Sequence, residues 1–82
     1  MVNRTRSVPM IFNNIRFGND MLARRLEIGL TGAAVAKIAG NMHATLVFKY
    51  ERAQEDNPKM ENFLAFCNVF DLDPREYFEL ER

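Results

Sequence analysis

Residues 30–52 read LTGAAVAKIAGNMHATLVFKYER, and the fold follows from how this stretch turns. Thr31 suits a helix N-cap, because its hydroxyl can accept a bond from a free backbone N–H. Residues 33–39 contain no helix breaker. Gly40 is predicted to leave the helix in the left-handed conformation. Asn41 and Met42 make the turn. A second helix then starts at His43 or Ala44 and runs to about Arg52. Val35, Ala36, Ala39, Met42, Val47 and Tyr50 are placed between the two helices. The small Ala34, Ala36 and Ala39 let the two backbones approach closely.

Working outward, Asn13 or Asn14 can cap an earlier helix that ends at Gly29. Phe17, Met21 and Arg25 recur on one face of it, widened by Leu22 and Leu26. Gly18 is a weak point within it. Downstream, residues 54–57 form a polar loop, and Pro58 suits the first position of the next helix. Met60, Phe63, Leu64, Cys67 and Phe70 follow helical spacing. Asp73 and Pro74 then cap and open a last helix, whose apolar face is Tyr77, Phe78 and Leu80. That helix either finishes the core or forms a dimer seam. Before the first helix, residues 1–9 are polar and carry Arg4 and Arg6. Residues 8–12 are an apolar patch in which Pro9 opposes a helix. The patch either covers the core or pairs as a strand with a second subunit. The expected organisation is an arm over residues 1–12 and one domain over residues 13–82.

Two short helices around a tight turn containing Gly make a helix-turn-helix unit. The stretch resembles the phage-repressor and Cro type of helix-turn-helix domain, the XRE family. Phe17-Gly18, Met21, Arg25 and Gly29-Leu30-Thr31 fall at that family's spacing. So do Glu51, Pro58, Met60, Phe63, Leu64, Cys67, Phe70 and Leu72. The resemblance implies an all-α, compact five-helix lambda-repressor-like domain, with helices near 14–28, 31–39, 43–52, 59–70 and 74–80. It also implies a structural salt bridge between Arg25 and Glu51. The chain departs from the family at Gly32, where a polar residue commonly contacts the DNA backbone. Ala44 stands where a base-reading side chain is frequent. Glu55 and Asp56 occupy a loop that in relatives approaches phosphates.

The 82 residues suffice for one domain. A lone Cys67 excludes an internal disulfide. No apolar run approaches the roughly 20 residues of a membrane span, and the N-terminus lacks a secretory signal. The expectation is a soluble, cytoplasmic protein with no membrane partner. Net charge is zero but unevenly spread. Residues 1–29 carry five Arg against Asp20 and Glu27. Residues 59–82 carry six acids against Lys59, Arg75 and Arg82. His43 has no Cys or carboxylate at ligand spacing, so neither a metal nor a cofactor is expected. Gly29, Gly32 and Gly40 do not form a phosphate-binding motif. An enzyme is not expected.

The chemistry that remains is DNA reading. With Val47, Tyr50 and Glu51 facing inward, Thr45, Phe48, Lys49 and Arg52 share the outer face. Thr45 and Lys49 can bond base edges, and Phe48 can touch a thymine methyl. Arg52, His43 and the arm residues Arg4 and Arg6 can bond phosphates. With Ala44, these are the candidate DNA-binding residues. The function expected is a small sequence-specific regulator, a repressor or Cro-like phage-type switch, reading the major groove of an operator with two half-sites as a homodimer. The alternative is a protein-binding adaptor of the same fold, antirepressor or antitoxin-like, that grips its partner through Leu46 and Phe48.

Overall fold

The structure, a computed structural model, describes residues 10–80. Arg4 and Arg6, expected to bond phosphates, and Val8 of the apolar patch lie outside the described residues. The first strand, β1 (Met10–Phe12), leads into α1 (Asn14–Ile28). Asn13 caps α1 by accepting the Arg16 N–H at 3.0 Å. Gly29 ends it in the left-handed conformation, φ 76°, and donates to the Arg25 carbonyl at 2.9 Å. Thr31 then caps α2 (Gly32–Gly40) by accepting the Ala34 N–H at 3.1 Å.

The exit from α2 differs from expectation by one residue. Asn41, not Gly40, takes the left-handed cap, with φ 60°. Its N–H reaches the Lys37 carbonyl at 3.1 Å, and the Met42 N–H reaches Ala36 at 2.9 Å. Those two bonds close the last turn of the helix. Asn tolerates this conformation because its short polar side chain can bond locally. The turn delivers the chain into α3 (Ala44–Glu51). Pro58 lies before the cap Lys59 rather than inside the next helix, α4 (Met60–Phe70).

Among the described residues the body of the fold is all-helical, with four α-helices instead of five. The expected last helix is replaced by a single 3-10 turn (Pro74–Tyr77) and a second strand, β2 (Phe78–Leu80). Asp73 does cap Pro74's turn, accepting the Arg75 N–H at 3.0 Å. The helix stops there because a partner strand competes for the backbone. The strands β1 and β2 pair antiparallel in the register Met10↔Leu80, Ile11↔Glu79 and Phe12↔Phe78. The Asn13 N–H continues the ribbon to the Tyr77 carbonyl at 2.7 Å. Phe12 and Phe78 rings lie 5.3 Å apart, and each meets Phe63 edge-on. The two stretches expected as dimer seams therefore pair with each other within one chain.

The core is unusually aromatic. Phe17, Tyr50, Phe63, Phe66, Phe70 and Tyr77 are all buried, with Met21, Val35, Ala36, Val47 and Cys67 among them. Phe17 sits at the centre, 4.8 Å from the Phe63 ring and 4.9 Å from Tyr77. Burial pushes the Cys67 thiol up to about 11, with Asp73 adding to the shift. Gly18 explains itself here. A Cβ on it would lie 2.5 Å from the Tyr50 carbonyl oxygen and 2.7 Å from that of Glu51. The first helix thus crosses the end of α3 backbone to backbone, which only glycine permits. No described helix is long and apolar enough to cross a membrane.

Candidate nucleic-acid interface

The helix α3 is held from behind by three inward side chains. Val47 and Tyr50 are fully buried against the core. Glu51 is the third anchor, with its side chain 5 % exposed. A carboxylate so buried demands a partner. Arg25, on α1, supplies it with Nε 2.6 Å from Oε2 and Nη2 3.1 Å from Oε1. Arg25 also donates to the Leu30 carbonyl at 3.1 Å, tying down the loop before α2. The bond to Glu51 raises the Arg25 pKa above its ordinary value. Asn14 adds a further tie by donating to the Ala53 carbonyl at 3.0 Å. Ala53 itself is left-handed, φ 57°, as the chain reverses after α3.

With that face anchored, the opposite one is displayed. His43 stands at the N-cap of α3, exposed, with no side-chain cap bond. Thr45 and Lys49 are exposed one turn apart. With His43, Met42 and Leu46 they line one shallow, mainly apolar depression. Arg52 is exposed at the C-cap. Ala44, the first helical residue, is half-buried and brings no polar group. Leu46 packs partly against the core.

Phe48 is not the exposed aromatic that the sequence suggested. It is half-buried, and its ring tip presses on Gly32 at the start of α2. A Cβ on Gly32 would sit 2.5 Å from Phe48 Cζ. Two guanidiniums lie over the same ring, those of Arg25 and Arg52, each 5.7 Å from its centroid. The outer residues therefore form two groups. His43, Thr45 and Lys49 border the depression, whereas Phe48 and Arg52 form a cluster with Arg25.

Two residues that the sequence marks only as departures from the family gain partners here. Glu55 lies 3.6 Å from Lys49, the candidate base reader. Five residues lie between them across a helix end, where no spacing rule applies. Burial and the Glu55 charge together push the Tyr50 hydroxyl up to about 12. The other is Gly32, whose role shows only once Phe48 is seen above it. A glycine directly after the N-cap, followed sixteen residues later by an aromatic, was the available signal.

Among the described residues no group of His, Cys, Asp and Glu could hold a metal ion. What the arrangement offers is a rigidly backed helix with hydrogen-bonding and cationic side chains outward.

Comparison with known proteins agrees with this geometry. The Helix-turn-helix family matches residues 21–77, from α1 through the 3-10 turn. Among solved structures, the restriction-modification controller protein C.AhdI from Aeromonas hydrophila is similar, with a TM-score of 0.65 and 28% identity. The likeness covers 77% of this chain and 92% of that one. No curated protein sequence matches the chain. With the four helices described, its part-buried Arg25–Glu51 pair and its displayed third helix, the chain belongs to the XRE-type helix-turn-helix family of DNA-binding transcriptional regulators.

Proposed function

We propose that this regulator is sequence-specific and reads the major groove of an operator with α3, as a repressor or Cro-like switch. The observation that carries the reading is the division of α3 into an anchored inner face and an outer face bearing His43, Thr45, Lys49 and Arg52. Thr45 and Lys49 take base edges, with Lys49 suited to guanine acceptors. His43 and Arg52 take phosphates and set the register. Arg4 and Arg6 add phosphate contacts from the arm. The likeness to a restriction-modification controller supports a regulatory role of this kind.

The adaptor alternative loses support from its own two anchors. Leu46 is packed partly against the core, and Phe48 is half-buried on Gly32. Neither offers the free apolar side chain that a partner's pocket would take.

A single α3 reads only a few base pairs, so we propose a homodimer on two half-sites about 34–36 Å apart. Its seam moves to the outside of the ribbon, where Met10 and Met60 are 57% and 56% exposed beside a groove floored by Phe63 and Phe78. The test is selection of genomic fragments by the full chain, followed by footprinting and sedimentation. Two protected half-sites one helical turn apart, with a dimer on the DNA, are expected. Uniform binding to unrelated fragments overturns sequence-specific reading, and a monomer at micromolar concentration with and without DNA removes the dimer.

A further inference from the structure

We propose that Phe48 is a positioning residue for Arg52, holding its guanidinium where it meets a phosphate of bound DNA. The proposal rests on the DNA-reading role assigned to α3 above.

Three observations lead to it. The Phe48 ring is packed at its tip against Gly32, where an added Cβ would come within 2.5 Å of Cζ. Arg25 covers the ring and is itself fixed by two bonds to Glu51 and one to the Leu30 carbonyl. Of the two described guanidiniums over the ring, Arg52 is the one without a carboxylate partner. Both carboxylate oxygens of its neighbour Glu51 already accept from Arg25. Among the described residues, Arg52 has no carboxylate within salt-bridge distance, whereas Lys49 has Glu55.

An exposed arginine samples many rotamers, and ordering it on binding opposes affinity. A cation over an aromatic face is already restrained, because the ring quadrupole attracts it. Arg52 stands one turn after Phe48 on the same helix, with its N–H bonded to the Phe48 carbonyl at 2.9 Å. The ring thus selects side-chain orientations that run along the outer face of α3. Phe48 contributes to DNA binding through Arg52, without touching a base.

The test uses the full chain as wild type, Phe48→Leu, Arg52→Ala and the double variant. Leucine keeps the inner carbons of the ring and lacks its face. The probe is the duplex that the wild type selects, titrated over a range of salt. A second readout, independent of DNA, is the NMR order of the Arg52 Nε–Hε bond in the free protein, with melting curves to confirm folding. Arg52→Ala should make the salt slope shallower by about one. Phe48→Leu should weaken binding about two- to fivefold and loosen the Arg52 Nε–Hε bond. In the Arg52→Ala background it should add nothing, the mark of a residue acting through another. An equal loss in both backgrounds means that Phe48 contacts DNA itself, and overturns the proposal. Unchanged affinity or unchanged Arg52 order in Phe48→Leu overturns it too. A wild type that binds no duplex at low salt overturns the DNA reading and this proposal with it, an outcome distinct from intact binding that ignores Phe48.

Discussion

Gly32 and Phe48 are complementary: the ring tip of one fills the space where the other lacks a side chain. The fit is tight, since a Cβ on Gly32 would come within 2.5 Å of Cζ and 2.9 Å of Cε1. It joins the start of α2 to α3 through a side chain that is not part of the buried core cluster.

Gly32→Ala should therefore destabilise the domain by about 1–3 kcal/mol, although alanine is the better helix former. Phe48→Leu removes the Cε and Cζ atoms that the new methyl would meet. Added to Gly32→Ala, it should restore part of the loss. Urea titration of the two single variants and the double one checks this. Additive losses would show that the two residues do not share the space.

The second prediction concerns Arg25 and Glu51. Their side chains are 13% and 5% exposed. Removing either leaves the other charged in a poorly solvated place, so Arg25→Ala should cost about 3–5 kcal/mol. Arg24 provides the control on the same helix. It pairs with Glu27 at 3.9 Å, with both side chains well exposed. Arg24→Ala should cost less than about 1 kcal/mol. Equal melting temperatures for the two variants would contradict the burial of the pair.

Gly18→Ala gives a third test. The added methyl would press on the carbonyl oxygens of Tyr50 and Glu51, which end a helix and have no freedom to retreat. A loss of about 2–3 kcal/mol is expected, against the gain that a helical Gly→Ala change brings where there is space. Thermal melting decides the sign, and a stabilised Gly18→Ala would refute the close crossing of α1 and α3.

How much of this was legible beforehand depends on the range of the interactions. The caps Asn13, Thr31 and Asp73 and the stop at Gly29 are local, and their residue types announce them. The inward set Val47, Tyr50 and Glu51 follows from helical spacing around one turn. The last element was misread because YFEL satisfies two periods at once. Read alone it continues a helix opened by Pro74. Opposite Met10–Phe12 it becomes a strand, and that partner lies more than 60 residues away in the chain. The contacts of Gly32 and Glu55 were illegible for the same reason, since each meets a residue that folding brings to it.

Cys67 should be chemically silent in the folded protein. It is 4% exposed, and burial pushes its thiol from the ordinary 9 up to about 11. At pH 8 its thiolate fraction is then about a hundredfold below that of a free thiol. The thiol group should alkylate only as the domain opens, so the labelling rate should rise with urea in step with unfolding. Fast labelling in native buffer would show that α4 is not seated on the core.

The last prediction joins Lys49 to Glu55. Their 3.6 Å contact is half open to water, with Lys49 47% and Glu55 21% exposed. A pair of that kind contributes little to stability, less than about 1 kcal/mol. Its effect on binding is larger, because a phosphate or a guanine must compete with the carboxylate for the same ammonium. Glu55 also brings a negative charge to the loop beside the recognition helix, where it opposes the approach of DNA. Glu55→Gln should therefore leave the melting temperature nearly unchanged and tighten DNA binding, most at low salt. Lys49→Ala should act differently, relaxing preference at one base pair at a cost of about 1–3 kcal/mol. If Glu55 acts through Lys49, Glu55→Gln should tighten binding less once Lys49 is alanine. Affinity measured for the three variants on the selected operator and on a scrambled duplex separates these effects. Tightening by Glu55→Gln that is as large without Lys49 would assign Glu55 to general repulsion of DNA. Weaker binding of Glu55→Gln would instead show that the carboxylate holds Lys49 in its reading position.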